Sequence, residues 1–328
     1  MSASDREHLK IFAGRTGRHL ADRMCEHLEL PAARGTTELF PDGELIVKID
    51  EDVRGRDCYV VQSTSAPVNA NIMELLVYID CLRRASAHRI TAVIPYYGYA
   101  RQDRKDEGRV PITAKLVANL IAAAGCDRVL CMDLHAAQIQ GFFDIPVDHL
   151  SASPVFLDYF RRIRDELGDL VMVSPDVGNV KVANMYADLL GADLAIIDKR
   201  RQSGSNVVSK NLIGPDVRGR PVLMVDDMIS TAGTICSAAE LVKEAGATDV
   251  LAAATHPVMV GLALQRLADA PFTRIIVTDT IPDEGRLDPI RDRVEVLSVA
   301  ELLGEAAHRI HHNMSISALF RGAGGLKR

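Results

Sequence analysis

Val222-Leu-Met-Val-Asp-Asp-Met-Ile-Ser-Thr-Ala-Gly-Thr234 is an apolar run that ends in two carboxylates and passes into small hydroxyl and glycine residues. A helix-period segment follows, with Ile235, Ala238, Ala239 and Val242 on one face. The stretch therefore reads as a buried strand, a loop and a helix N-terminus. Ligands of open α/β sheets bind at such carboxyl ends of strands. Loop N–H groups and a helix N-terminus make an anion site, to which Ser230, Thr231 and Thr234 add hydroxyl donors. Asp226 and Asp227 are unsuited to facing a phosphate, but they suit sugar hydroxyls or a hydrated Mg²⁺ beside it. The whole reads as a clamp for a sugar phosphate. A plain helix-capping turn is the competing explanation, and two acids followed by S-T-A-G-T are too particular for it.

Outward from that stretch the same pattern recurs. Apolar runs at Cys58–Gln62, Ile90–Pro95, Arg128–Met132, Leu170–Ser174, Leu194–Asp198, Pro221–Val225, Val250–Thr255 and Arg274–Thr278 are mostly non-alternating. That is expected of strands covered on both faces. Between them lie helical periods. Asn71 and Glu74 read as a capping-box-like pair at the start of one helix, with Ile72, Leu75, Leu76 and Ile79 on one face. Thr113 reads as the cap of another, which stops at Gly125. Strand–helix–strand alternation means parallel sheets with right-handed crossovers. A weak internal repeat relates the unit from Cys58 to Pro95 to that from Pro221 to Thr255. The expected fold is α/β, in two similar domains, each a mainly parallel sheet flanked by helices. The boundary falls near His149–Ser153, giving domains 1–150 and 151–298. Residues 299–328 carry Leu302, Leu303, Ala306 and Ile310 on one helix face, which packs either back on the first domain or on another subunit.

Composition narrows the function. The 328 residues carry a formal net charge of −6, which disfavours bulk binding to nucleic acid or to an anionic membrane. Phosphate recognition must come from local clusters and backbone amides. The 6 cysteines are scattered with no C-x-x-C pair, against a zinc ribbon or disulfide framework and in keeping with a reducing compartment. Met1 to Lys10 is polar, and no apolar run approaches the roughly 20 residues that span a bilayer. A cytoplasmic location is expected.

Further motifs resemble one family. Asp226–Thr234 is similar to the phosphoribosyl-diphosphate loop of type I phosphoribosyltransferase folds. Gln62-Ser-Thr-Ser-Ala-Pro-Val-Asn69, Ile94-Pro-Tyr-Tyr-Gly-Tyr-Ala-Arg-Gln-Asp-Arg-Lys105, Asp133-Leu-His-Ala-Ala-Gln-Ile-Gln-Gly-Phe-Phe143, Ser174-Pro-Asp176 and Ile197-Asp-Lys-Arg-Arg201 resemble ribose-phosphate pyrophosphokinase. The resemblance runs from about Lys10 to Phe320. It implies two phosphoribosyltransferase-like domains and an enzyme that moves the pyrophosphoryl group of ATP to the C1 hydroxyl of ribose 5-phosphate.

The resemblance also implies roles. Phe40, Asp42, Gly43 and Glu44 form an ATP loop, though Pro-Asp-Gly alone would be an ordinary turn. Arg101 and Gln102 are further ATP contacts. His135 and Asp176 are Mg²⁺ ligands. Mg²⁺ prefers oxygen, so His135 rests on the resemblance alone. Lys199 and Arg201 act on the transferring group from a mobile loop, with Arg201 also contacting ribose 5-phosphate. Asp226, Asp227, Ser230, Thr231, Ala232, Gly233 and Thr234 hold ribose 5-phosphate. A homo-oligomer, commonly a hexamer, is implied. Some positions depart from the family pattern. Val177-Gly-Asn179 replaces the usual His-Gly-Gly, and Asp52 and Gly108 stand where phosphate-activated members carry serines, while Arg54 and Arg109 remain. A carboxylate at Asp52 disfavours a bound anion, so weakened phosphate activation is expected. Two other readings stay open: a phosphoribosyltransferase that consumes the diphosphate, and a catalytically silent regulatory homologue.

Overall fold

Buried apolar runs become parallel strands in both halves of the chain. The computed structural model describes residues 8–201 and 208–320, and the side chains at 199–201, 208–210 and 320 lie outside that description. Two units divide it. One takes in the described residues through Ser151 with Thr280–Pro282 and Ser298–Leu319. The other takes in Ala152–Asp279 and Asp283–Leu297.

The first unit runs β1 (Leu9–Ala13), α1 (Arg18–Leu28), β2 (Gly35–Leu39), β3 (Leu45–Ile49), β4 (Asp57–Val61), α2 (Val68–Arg84), β5 (Arg89–Ile94), α3 (Thr113–Ala124), β6 (Arg128–Met132) and β7 (Val147–Leu150). Its main sheet has the order β1-β4-β5-β6-β7 and is parallel throughout. Every residue of β4 is buried, which explains why that run does not alternate. β2 and β3 form a separate antiparallel hairpin.

Two helix starts differ from the sequence reading. α2 begins at Val68, directly after Pro67. Asn71 and Glu74 therefore lie inside it, buried, and are not its cap. Asn71 Nδ2 donates to Ser65 O (2.8 Å), so its side chain ties down the preceding loop. α3 has no side-chain cap bond, and the Thr113 hydroxyl donates to Gln102 Oε1 (2.5 Å) instead. Both side chains lie inside their helices, beyond the cap position, and spend their donors on preceding loops.

The second unit runs α4 (Ser153–Arg162), β8 (Val171–Ser174), α5 (Val180–Leu190), β9 (Asp193–Arg201), β10 (Val208–Ile213), β11 (Val222–Met228), α6 (Gly233–Glu244), β12 (Val250–His256), α7 (Ala263–Asp269), β13 (Arg274–Thr278) and β14 (Val294–Leu297). Its sheet has the order β10-β9-β8-β11-β12-β13-β14, parallel except for the β9–β10 pair. The chain winds from β8 to β9 on one side and from β11 to β12 on the other. A topological switch point therefore lies between β8 and β11.

The last helix, α8 (Ala300–His311), belongs to the first unit and buries Leu303, Ala306, Ala307 and Ile310. Polar groups fasten its end. Tyr59 Oη donates to Ala307 O (3.2 Å) and Arg89 Nη2 to Ile310 O (3.2 Å). His311 Nδ1 lies 2.8 Å from Asp57 Oδ2, and Arg89 Nε donates to Asp57 Oδ1 at 2.9 Å. Burial pushes the Asp57 carboxyl up, but the hydrogen bonds from His311 and Arg89 outweigh it and hold the group below the usual carboxylate range. A depressed carboxyl contributes stability above its ordinary value near pH ~4, and that contribution is lost as the pH falls through the folded value. Asp57→Asn should cost about 2–4 kcal/mol at neutral pH, because Arg89 and His311 lose the carboxylate they bond to. The variant's melting temperature should also fall less steeply than the parent's on acidification below about pH 4. Parallel acid slopes in thermal melts would refute this.

All 6 cysteines are unbridged, and burial pushes the Cys58 thiol up to about 12. Such thiols act as small apolar side chains. No helix among the described residues is long and apolar enough to cross a membrane.

Candidate active site

The switch point gathers the acids that the sequence singled out. β8 and β11 pair only at Val171–Met172 against Val222–Leu223. Beyond that register the two strands no longer pair, so their carboxyl ends stand apart. Asp176 follows β8, and Asp226 and Asp227 lie on β11. Burial pushes the Asp226 carboxyl up to about 7, reinforced by the charge of Asp227 beside it and by that of Asp176. A carboxyl whose affinity for protons is raised by neighbouring carboxylates favours a cation or a hydroxyl donor beside it. Among the described residues no three His, Cys, Asp or Glu side chains come together in a metal-holding cluster. Mg²⁺ held here would rely on one or two carboxylates and otherwise on water and phosphate oxygens, its ordinary habit.

Asn179 spans the opening. Its N–H donates to Asp176 Oδ1 (3.1 Å), and its Nδ2 donates to Val225 O (2.6 Å). It thus takes a carbonyl of β11 beyond the register that β8 pairs. The sequence marked Asn179 only as a departure, since nothing in its neighbours reveals a bond 46 residues away.

The loop after β11 is the stretch in which the sequence places an anion site. α6 begins at Gly233, and Ala232 before it is left-handed at φ 60° and ψ 2°. Non-glycine residues rarely take that conformation. It turns successive N–H groups toward one side, the concave arrangement that binds anions. Ser230 is half-buried, Ala232 buried, and Thr231 and Thr234 exposed. A Cβ at Gly233 would meet no protein atom closer than Arg266 Nη1, at 3.7 Å. Packing does not demand glycine there, whereas close approach of a ligand would.

The first unit carries one group of its predicted residues on the β2–β3 hairpin. Phe40, Asp42, Gly43 and Glu44 form its tip. Gly43 N donates to Phe40 O (2.9 Å), Phe40 N to Glu44 O (2.7 Å), and Gly43 sits at φ 90°. This is a turn closed by a glycine bulge. Asp42 Oδ1 accepts from Glu44 N (3.1 Å), so Asp42 shapes the turn. Phe40 is 48 % exposed at the tip, an apolar face left open.

The hairpin is anchored by a residue the sequence reading assigned elsewhere. Glu74 is 0 % exposed. It accepts from Arg15 N (3.2 Å), Arg15 Nε (3.1 Å), Thr37 Oγ1 (2.8 Å) and Gln62 Nε2 (2.9 Å). One carboxylate thus joins the β1–α1 loop, the hairpin and the end of β4.

Arg101 and Gln102 are exposed in the loop before α3, with Gln102 held by Tyr99 O and Thr113. His135 is exposed, two residues after Asp133, which takes φ 34°. His135 belongs to the first unit and Asp176 to the second.

Lys199 and Arg201 were expected on a loop. Their backbone instead continues β9, with Lys199 opposite Lys210 and Arg201 opposite Val208 in antiparallel β10. The polar character of Lys199-Arg-Arg201 suggested that the strand had ended, but pairing with β10 satisfies the backbone and prolongs it.

The two units are each doubly wound or parallel α/β layers, and the second carries an acid pair and a hydroxyl–glycine loop at a switch point. That combination defines a phosphoribosyl-binding class of fold. Residues 9–125 match the family model described as the N-terminal domain of ribose phosphate pyrophosphokinase, and residues 207–321 match the phosphoribosyl synthetase-associated domain. A protein named ribose-phosphate pyrophosphokinase from Rhodopirellula baltica is 59% identical over 313 residues, covering 95% of this chain and 98% of its own. One of the same name from Gloeobacter violaceus is 53% identical, covering 96% and 94%. The crystal structure of phosphoribosylpyrophosphate synthetase from Mycobacterium smegmatis superposes with a TM-score of 0.86 at 45% identity, covering 93% of this chain and 99% of that one. The chain belongs to the ribose-phosphate pyrophosphokinase family.

Proposed function

We propose that this enzyme transfers the pyrophosphoryl group of ATP to the C1 hydroxyl of ribose 5-phosphate, giving 5-phosphoribosyl 1-diphosphate and AMP. One observation carries the reading. An acid pair and an anion-cradling loop lie together at a switch point, in a chain that aligns with ribose-phosphate pyrophosphokinases over 95% of its length. The 5-phosphate takes the N–H groups and hydroxyls of Ser230–Thr234. The ring hydroxyls donate to Asp226 and Asp227. ATP is assigned to Phe40, Asp42, Gly43, Glu44, Arg101 and Gln102, with Phe40 as a stacking face for adenine and Arg101 on phosphate. The C1 oxygen attacks the β-phosphorus in line, the bond to the α-phosphate oxygen breaks, and AMP leaves with that bonding pair. Lys199 and Arg201 stabilise the charge that builds on the nonbridging and bridging oxygens. Asp176 and His135 are the residues that would hold Mg²⁺, which when bound neutralises phosphate charge. Asp176 has support in the acid cluster around Asp226, and His135 rests on family resemblance. We assign the enzyme to the cytoplasm as a homo-oligomer, a hexamer.

The test is to incubate purified protein with Mg·ATP and ribose 5-phosphate and follow AMP, with and without inorganic phosphate. AMP formed only when ribose 5-phosphate is present supports the reading. Turnover of a nucleobase without ATP would replace it with a phosphoribosyltransferase, and folded protein that forms no AMP would be a silent homologue. The phosphate arm addresses Asp52, whose Oδ1 accepts from Arg54 N at 3.1 Å. Near-full activity without phosphate is expected, and a steep phosphate dependence would overturn that part.

A further inference from the structure

Three consecutive carbonyls of the anion loop are drawn away to one flank. Ile229 O accepts from Met259 N (2.8 Å) and Ser230 O from Val260 N (3.0 Å). Thr231 O accepts from Arg266 Nη1 (2.8 Å), a side chain on α7. The first two bonds are backbone to backbone and depend on no particular side chain. The third does, and it falls where the loop leaves strand-like pairing and Ala232 turns left-handed.

The orientation of that carbonyl matters electrostatically. The peptide unit is planar and trans, so its N–H points opposite to its C=O. A Thr231 carbonyl fixed on Arg266 aims the next N–H, that of Ala232, away from α7. A rotated peptide would present the carbonyl's negative end to a bound phosphate. We infer that Arg266 is a positioning residue for the phosphate of the sugar-phosphate substrate. It holds the Thr231–Ala232 peptide in the anion-accepting orientation and places a cation behind the loop. The inference rests on the assignment of Ser230–Thr234 to ribose 5-phosphate. A second arginine braces the same segment, since Arg286 Nη1 donates to Val258 O (3.1 Å) immediately before Met259.

Arg266 is exposed, so its bond adds little to global stability. Its signature is therefore in substrate binding. Arg266→Met should raise KM for ribose 5-phosphate about tenfold, the usual weight of a charge-assisted hydrogen bond. KM for ATP and the melting temperature should stay close to the parent's. Arg266→Lys keeps a cationic donor on a long stem and should recover most of the loss. Thr234→Val, measured alongside, tests the loop assignment itself by removing a hydroxyl donor. If Thr234→Val raises KM for ribose 5-phosphate and Arg266→Met does not, the positioning role falls and the loop assignment stands. If neither variant moves it, both fall. A drop in melting temperature with equal loss of both substrates, not recovered by lysine, would make Arg266 a structural residue and overturn the inference.

Discussion

Lys199→Ala loses about a thousandfold in kcat while KM for ribose 5-phosphate changes less than about twofold, the pattern of a group that acts only as charge develops. The acceptor's phosphate and hydroxyls are assigned to Asp226–Thr234, which Lys199 is not part of, so binding survives. Transfer spreads negative charge over the nonbridging oxygens and onto the oxygen leaving with AMP. A cation matched to that charge stabilises the transition state more than the ground state. Lys199 and Arg201 are two positions apart on β9, and the β9–β10 pairing supplies the backbone arm that carries both. Arg201→Ala should also lower kcat and, because Arg201 is assigned to ribose 5-phosphate as well, raise KM for that substrate. The check is steady-state AMP release beside equilibrium binding of ribose 5-phosphate. Near-normal kcat in Lys199→Ala would remove this residue from the chemistry.

Glu74→Ala is expected to be the most destabilising single change in the first unit, at about 3–5 kcal/mol, the cost of leaving a buried charge network without one member. The carboxylate is fully buried, and four hydrogen bonds converge on it from Arg15, Thr37 and Gln62. Deleting it strands those donors in a site that alanine cannot hydrate. Glu74→Gln keeps the shape but turns an amide N–H₂ toward donors, so it should cost a smaller ~1–3 kcal/mol. Chemical denaturation of both variants gives the ordering. The same substitution has a functional readout, because the Thr37 bond pins the hairpin that carries Phe40 and Glu44. In Glu74→Gln, KM for ATP should rise more than KM for ribose 5-phosphate. Two variants as stable as the parent would show that the network contributes no net stability.

The first-unit strands at Asp57–Val61, Arg89–Ile94 and Arg128–Met132 were legible because they are buried on both faces and read as unbroken apolar runs. β2 and β3 were not. Their residues are all but one exposed or half-exposed, and the hairpin leaves only the signature of its Pro-Asp-Gly turn. The helix starts at Asn71 and Thr113 were misread for a related reason. A polar side chain that can cap locally can equally bond at long range, and only the folded neighbourhood decides which.

By itself the sequence determined the α/β class, the acid pair with its hydroxyl–glycine loop, and the family to which those residues belong. Each is a local pattern of burial, charge or backbone freedom, carried by residues within one strand–loop–helix unit. The tertiary structure alone decided that Asp176 stands with Asp226, because that follows from the order β9-β8-β11-β12 and the parting of β8 from β11. It alone placed Asn179 across that gap, Glu74 beneath the hairpin and Arg266 against the carbonyl of Thr231. Those bonds join residues 35 to 46 positions apart, where no periodicity or capping rule reaches, and they form because strand order brings the partners within hydrogen-bond range.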